Sequence, residues 1–550
     1  MLRPALLLPP KRLSTPRFDR GPLDPSRGSA TRRSGSYMDG THARWSGGTF
    51  RTHHGRRLTE TRVTRMSRRC RARNVPDQLR ASGHSAISLL LYPALTYASV
   101  DEVADAVGSR DVTSLGLFTV GVGGRSMALV IGTLNLIVLA RALGPVGRGQ
   151  YFVFVSLLLV LTTLADLGIS QSAVVFGGRY EVRIGEIHRI LVRYAALFAL
   201  LVFVVGTLVI LAAGDALLPN IPREWSFVAL VTLPLAVYAS YWSAMMIGLR
   251  QVVSVTGVQL AAATLSLAGN VGFVAPSGSA VSAVLVYVAV LALQAAAMFW
   301  LQHRMVAGAN EPPKDPRGLG RDMLLFGLRG YPNSLGMLLW SRSAVFVLNV
   351  FHGPGAVGAY SVAQALAERI LLPIQSLQDL VYNRMTHLPP AEATQTMNRY
   401  LRIGIALMVP IVATGILVSP MLVTLLFSEA FDAAATPLRV LLVGSAVMVI
   451  PVLLSTYMLG QRGRPGLLSI LSLLNGCINL LLLFVLVPGR AETGAAIAAL
   501  TAQVVGIAVV LALYLRTART EWNAALVLKR ADLALVKQQI LEMIAPRSAR

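Results

Sequence analysis

The sequence predicts an all-α polytopic membrane protein in which twelve transmembrane helices form two parallel six-helix repeats around a central cavity. Three observations carry that prediction. The 550-residue chain is 54% hydrophobic and only 14% charged, with a mean hydropathy of +0.60, whereas a soluble domain carries roughly 25% charged residues. From Ser114 onward twelve apolar segments follow one another, each long enough for the about 20 residues that a crossing needs. A Gly-Pro-x-x-x-Gly-x-Tyr signature occurs twice: Gly144, Pro145, Gly149 and Tyr151 return 209 residues later as Gly353, Pro354, Gly358 and Tyr360.

Residues 1–113 are expected to form a basic, largely disordered extension. Residues 1–80 hold 19 Arg and Lys against 5 Asp and Glu, and an aperiodic Arg-, Pro-, Gly- and Ser-rich stretch cannot bury enough apolar surface to fold. A start codon placed too early accounts for such an arm, and attraction to anionic lipid is the functional alternative. The apolar run from Ala86 to Val100 is broken by Pro93 and is too short to span. Spans one to six follow at 114–141, 150–176, 189–213, 225–248, 252–274 and 279–302, in an N-lobe of 114–303. A polar cytoplasmic linker, 304–320, contains Glu311, Pro312, Pro313 and Pro316. Spans seven to twelve lie at 321–350, 357–383, 401–427, 435–460, 465–487 and 493–516, in a C-lobe of 321–516. Residues 517–550 form the tail, where Glu521–Ile544 reads as an amphipathic helix with Trp522, Leu526, Leu533, Val536 and Ile540 on one face.

The connections alternate in charge. Five of them hold fourteen basic residues, among them Arg179, Arg183, Arg250, Lys314, Arg384 and Arg462, while the other six hold Arg141, Arg148, Arg223 and Arg490. Lys and Arg accumulate on the cytoplasmic side, so both termini are expected inside. Six spans separate the two motif copies, which makes the repeats parallel. Further landmarks agree, with Gly248, Arg250 and Pro276 returning 212 residues later as Gly460, Arg462 and Pro488. The twin Gly-Pro motifs are expected to be tight outer turns with no chemistry of their own.

Two cysteines, Cys70 and Cys477, support neither a disulfide framework nor a metal centre. No cofactor is expected, and with no nucleophile–base pair or ATP motif standing out the chain does not read as an enzyme. Energy is expected from a substrate gradient, the membrane potential or a coupling ion.

Ionisable groups inside spans are costly and face a cavity or a partner. Here they are Arg125 in span one, Asp166 in span two, Arg329 and Arg342 in span seven, and Glu368, Arg369 and Asp379 in span eight. Arg125, Arg342 and Arg329 are the candidate substrate-binding residues, because a guanidinium grips phosphate oxygens with two parallel hydrogen bonds and stays charged when desolvated. Snorkelling to the interface, or pairing with an acid, is the alternative. Asp166 and Glu368 are candidate coupling or charge-pairing groups, with Asp166 read foremost as a cap on backbone or a counter-charge to an arginine. Pro373 is expected to kink span eight.

The run LARALGPVGRGQY at 139–151, followed by LADLGIS at 164–170, resembles the N-terminal hallmark of the Wzx-type flippases, bacterial polysaccharide exporters of the multidrug/oligosaccharidyl-lipid/polysaccharide (MOP) superfamily. GAYSVA at 358–363 and LGQRGR at 459–464 extend the resemblance into the second half. It implies a two-lobed protein of the bacterial plasma membrane. Such a protein moves undecaprenyl-diphosphate-linked oligosaccharide from the cytoplasmic to the outer leaflet by alternating access. The substrate and membrane lipids are then its partners, with a polysaccharide polymerase or glycosyltransferases beside them and no nucleic acid. In one place the chain departs from the pattern: relatives look as if they pair an acid with a base in span seven, where Ser341-Arg342-Ser343-Ala344 has the arginine alone. That argues against proton coupling through this helix and leaves anion binding intact. Three alternatives stay open: a lipid II flippase, a cation-coupled multidrug exporter, and a membrane scaffold that recruits glycosyltransferases. The second should show an acid in span one, where this chain has Arg125 and Asn135.

Overall fold

A computed structural model describes residues 110–178, 184–307, 318–385, 388–462, 465–529 and 532, with side chains from residue 127 onward apart from several between 373 and 391 and those at 459–465. The extension up to residue 109, the middle of the linker and the tail after Asp532 lie outside the described residues.

Among the described residues there are helices and no strands, and nine helical segments are long and apolar enough to cross a membrane. In chain order the helices are α1 (Arg110–Asp166), α2 (Ile169–Gly177), α3 (Ile184–Leu217), α4 (Arg223–Gly248), α5 (Val252–Ser277) and α6 (Ala280–Ala307) in the first half. The second half holds α7 (Leu319–Ile370), α8 (Leu372–Met385), α9 (Pro390–Phe427), α10 (Ala435–Val447), α11 (Val449–Arg462), α12 (Pro465–Ala518) and the short α13 (Trp522–Leu526). A helix rises about 1.5 Å per residue against an apolar bilayer core of about 30 Å. At 57, 52 and 54 residues, α1, α7 and α12 are therefore each long enough for two crossings.

Each of these three helices is broken once. Gly144 (φ 64°, ψ −179°) interrupts α1, Gly353 (φ 76°, ψ −178°) interrupts α7, and Ala491 (φ 45°, ψ −129°) interrupts α12. The two glycines hold the same place in the two motif copies and adopt the same positive-φ backbone, which costs a Cβ-bearing residue dearly. Pro145 and Pro354 follow at once, with φ preset for a new helix and no N–H to leave unsatisfied. The motif is thus a one-residue break rather than an open turn. Its second glycine does more: a Cβ on Gly149 would fall inside the carbonyl oxygen of Pro354, and one on Gly358 inside that of Pro145. The two copies sit on each other reciprocally.

The buried apolar side chains form two large clusters. One is built from α1–α6 around Phe154, Ile169, Leu230 and Trp242, and takes in Met323 at the start of α7. The other is built from the second half around Phe427, Leu454, Tyr457 and Tyr514, and takes in Leu136 and Ala140 of α1. A third cluster joins Val153 and Leu218 to Val345, Leu348 and Leu483. Large apolar side chains also cover the exterior, with Leu417 82% and Val485 73% exposed. An outer surface so apolar is tolerable only in lipid, which is as apolar as leucine. The chain is a multi-pass integral membrane protein.

Pro276 explains a local irregularity. It cannot donate to the helical ladder, and the turn before it, Asn270–Val274, widens into a π-helix. Asn270 is buried there and donates through Nδ2 to Asn135 Oδ1 of α1 at 2.7 Å, while Asn135 Nδ2 donates to Ser266 Oγ at 3.4 Å.

The tail differs from its expected form. The helix stops at Leu526 and the backbone is extended at Val527. A long-range ion pair is the reason: Arg402 of α9 donates to Asp532 through Nε at 2.6 Å and Nη2 at 3.0 Å, and also bonds the Ala524 carbonyl. Both side chains are buried, at 8% and 2% exposure. Asn398 Nδ2 donates to Thr520 Oγ1 at 3.1 Å and accepts from the Tyr514 hydroxyl at 2.6 Å. The hydrogen bonds from Arg402 hold the Asp532 carboxyl below the usual carboxylate range. A depressed carboxylate stabilises above its unfolded pKa of about 3.9 and loses that contribution as pH falls through the folded value.

Two tests follow from this packing. Gly149→Ala or Gly358→Ala should destabilise by about 1–3 kcal/mol through overpacking, read as a fall in the melting temperature of purified protein. Gly355→Ala, whose Cβ would meet only Val146 at 3.7 Å, should melt like wild type. In hydrogen exchange, residues 522–526 should stay protected across roughly pH 5–8. Asp532→Asn, which strands a buried arginine at a cost of about 3 kcal/mol, should expose them.

Candidate functional site

The halves meet along a seam, and at one end it is made by a broken helix. At Leu167 (φ 45°) and Gly168 (φ 78°) the chain leaves α1 and re-enters as α2. Such a break orphans backbone groups, and four of them find side-chain partners. The Asp166 carboxylate accepts from the N–H groups of Gly168 and Ser170, both at 3.1 Å, and from the Ser170 hydroxyl. The Tyr241 hydroxyl serves the carbonyls of Ala165 and Asp166, at 3.1 and 3.2 Å. Gly168 is needed for φ and for space, since a Cβ on Gly327 of α7 would lie 2.7 Å from its carbonyl oxygen. Gln171 Nε2 donates to Ser334 Oγ at 3.0 Å and the Ser172 hydroxyl to the Met323 carbonyl at 2.5 Å.

Towards the end that carries the Gly-Pro breaks, the halves are joined by the reciprocal glycines and by Asn349, which donates to the Pro219 carbonyl at 2.9 Å. Arg141 reaches across to the carbonyls of Leu426 and Leu425, at 2.8 and 2.6 Å. Between the two joined ends an open cleft of about 740 Å³ separates α1 from α7 and α8, lined by Leu129, Gly132, Glu368, Arg369, Gln375 and Gln378. Arg369 bridges it: Nε donates to Thr133 Oγ1 at 2.8 Å, Nη2 to the Gly132 carbonyl at 2.9 Å and Nη1 to the Ala365 carbonyl at 2.7 Å.

The residues singled out from sequence are distributed unevenly over this site. Asp166 is a helix cap. Glu368 lines the cleft and accepts from Gln364 Nε2 at 2.8 Å; neither acid pairs with an arginine among the described residues. Arg329 is exposed on α7. Arg342 reaches the first half, with Cζ 5.3 Å from the centre of the Phe152 ring and its buried Nε unpartnered. The backbone of Arg125 and Asp379 lies in α1 and α8, and their side chains lie outside the described residues. Thirteen residues of helix put Arg329 and Arg342 about 20 Å apart along the axis, so one small anion meets them in succession.

Two further arginines belong here. Arg369 is the tie across the cleft. Arg148, expected in an outer connection, is 6% exposed, because the helix restarts at Pro145 and carries it inward. A proline read as a first helical residue would have placed Arg148 three and four residues before Tyr151 and Phe152, on one helical face.

Two helical halves joined at both ends around an open cleft make a two-lobed multi-pass membrane architecture. The same fold is seen in the lipid II flippase MurJ in its inward closed conformation, at a TM-score of 0.60 and 12% identity over 77% of this chain and 92% of that one. It is seen again in a MOP superfamily transporter from Pyrococcus furiosus, at a TM-score of 0.51 and 15% identity over 72% and 94%. An inward-facing multidrug resistance MATE family transporter gives 0.50 and 18% over 71% and 95%. No curated protein matches the sequence. Residues 116–377, a stretch that includes the motif at 144–151, match the model of the polysaccharide biosynthesis protein family.

If Asp166 acts only as a cap, Asp166→Ala should cost about 1–2 kcal/mol, while Asp166→Asn keeps an acceptor and most of that stability. Transport in a reconstituted assay should then follow melting temperature and not charge, so that Asp166→Asn works at close to the wild-type rate.

Proposed function

We propose that the protein flips an undecaprenyl-diphosphate-linked oligosaccharide from the cytoplasmic to the outer leaflet of the bacterial plasma membrane. The observation that carries this reading is the lateral cleft between α1 and α7–α8 in a chain of the polysaccharide biosynthesis family. A lipid-linked sugar needs such an opening, because its head group must enter the protein while its tail stays in the bilayer.

Twelve crossing segments support the same reading. Divided at Gly144, Gly353 and Ala491, the three long helices add one crossing each to the nine. The reciprocal seating of Gly149 on Pro354 and Gly358 on Pro145 is what two parallel repeats related by a two-fold axis along the membrane normal would produce. Both termini then face the cytoplasm, with lobes of 114–303 and 321–516 rocking about their seam. Arg342 binds the diphosphate between the lobes. Arg125 precedes the cleft residues Ala128 and Leu129 by three and four positions, the spacing of one helical face, and Arg329 meets the anion nearer the cytoplasm. Carrying one negative charge outward gains about 2.3 kcal/mol per 100 mV of inside-negative potential, which drives a diphosphate without a coupling ion. Glycosyltransferases that build the substrate and a polymerase that consumes it are the partners of this step. A cation-coupled exporter fits less well: at mid-span α1 offers Asn135, already bonded to Asn270 and Ser266, in place of an acid.

The test is the sidedness of lipid-linked oligosaccharide in a deletion strain carrying wild type, Arg342→Ala or Arg125→Ala. Intermediates should accumulate on the cytoplasmic leaflet without the protein and with either variant. Unchanged sidedness on deletion sinks the reading, and rescue of a strain lacking its lipid II flippase would move the substrate to lipid II.

A further inference from the structure

We propose that Arg148 and Arg342 together form a diphosphate-binding site that spans the two halves around the ring of Phe152. This deepens the flippase reading and rests on it, since it names where the anionic head group is held on its way out.

Several other guanidinium groups are tied down. Arg141 and Arg369 are tied to backbone carbonyls and Thr133, Arg439 donates to Ser419 Oγ at 3.0 Å, and Arg223 and Arg402 are bound to Asp215 and Asp532. Arg148 and Arg342 have no hydrogen-bond acceptor and no carboxylate partner among the described residues, and the Nε of each is buried without a partner. Arg148 is nonetheless 6% exposed, with Cζ 5.6 Å from the Tyr151 ring centre and 5.7 Å from that of Phe152. Arg342 lies 5.3 Å from the same Phe152 ring. The two guanidinium carbons are therefore no further apart than the sum of those two distances, and they come from opposite halves of the chain.

Aromatic rings satisfy the face of a guanidinium and leave its in-plane N–H donors open. Two like charges around one ring, Arg148 buried and Arg342 half-buried, repel each other and are costly while unpaired. A ligand that carries more than one negative charge and several acceptor oxygens removes both costs at once. A diphosphate does so, because each guanidinium fork takes two oxygens. Arg148 lies four residues after the break at Gly144, and Arg342 eleven before the break at Gly353, about 16 Å along its helix. On the charge-based orientation the site lies in the outer half of the membrane, beyond the cleft through which the head group enters. Occupied, it draws the halves together; emptied, its two cations push them apart, so departure of the anion itself favours the next opening.

The experiment uses the full-length protein in nanodiscs of zwitterionic lipid, with geranyl diphosphate as probe and thermal stabilisation as readout. Wild type should be stabilised by the probe, and inorganic diphosphate should compete. Arg148→Gln and Arg342→Gln should each weaken the apparent affinity by about tenfold or more, the loss of one charged hydrogen-bonding pair. Without ligand, Arg148→Gln should melt no lower than wild type, because a buried unpaired charge is gone; an arginine with a merely structural role would lower it. Arg148→Lys keeps the charge without the planar fork and should also bind more weakly. Affinity unchanged in Arg148→Gln, or in Arg148→Lys where the first does not fold, overturns the site and leaves the flippase reading standing. Arg148-dependent binding with unchanged sidedness in the deletion strain keeps the site and removes the flippase reading. Competition by phosphatidylglycerol and not by inorganic diphosphate overturns the diphosphate assignment.

Discussion

Gly149 rests on the carbonyl of Pro354, and Gly358 rests on the carbonyl of Pro145. In lipid no hydrophobic force draws helices together, so close backbone approach at small residues and interhelical hydrogen bonds have to do it. These two contacts, with Gly168 against Gly327 at the other end, are where backbone meets backbone across the halves. The rest of the molecule is arranged by them. With both ends of the seam joined, the opening is left between α1 and α7–α8, at the level of Arg369. With the helix restarting directly after Gly144, Arg148 is carried inside instead of remaining in a loop.

Few hydrogen bonds cross the seam. Beside the Gly-Pro contacts the halves share the third buried cluster, and the hydrogen bonds across them there are few: Asn349 to Pro219, and Arg141 to Leu425 and Leu426. At the other end, Gln171 to Ser334 and Ser172 to Met323 are also single contacts between side chain and partner. Each half, by contrast, has its own large buried cluster. Few hydrogen bonds would have to be exchanged in the proposed alternating access, with the shared apolar cluster as the larger contact to repack.

Much of this was legible in the sequence, for identifiable reasons. The motif repeat located both helix breaks, because a Gly-Pro pair has few conformations available. Asp166 was readable as a cap from its spacing to Gly168 and Ser170. Apolar runs marked out the long membrane-crossing helices, nine among the described residues, and three pairs of runs join into single long helices through one-residue breaks. The tail was not legible: its amphipathic pattern is genuine, but Asp532 is claimed by Arg402, 130 residues away, and no local pattern reports a partner at that distance. Arg148 was misplaced for a subtler reason. Its position depends on how many residues a turn uses, and charge counting treats every residue between two apolar runs as loop.

The serines beside Arg342 bear on what that arginine is for. In span seven the place where relatives look as if they hold an acid is taken by Ser341 and Ser343, and neither serves the guanidinium. The Ser341 hydroxyl donates to the Met337 carbonyl at 2.7 Å, and the Ser343 hydroxyl donates to that of Leu339. Both are thus turned back onto their own helix, a common habit of serine in apolar surroundings. An acid there would pair with Arg342 while ionised and make the site switchable by protons. Serines bonded to their own backbone leave its donors unclaimed. The same holds for Arg148, whose neighbours are the rings of Tyr151 and Phe152. Arg141, Arg369, Arg402 and Arg439 have acceptors, whereas Arg148 and Arg342 have none among the described residues, and in the proposed site their counter-charge comes from the ligand.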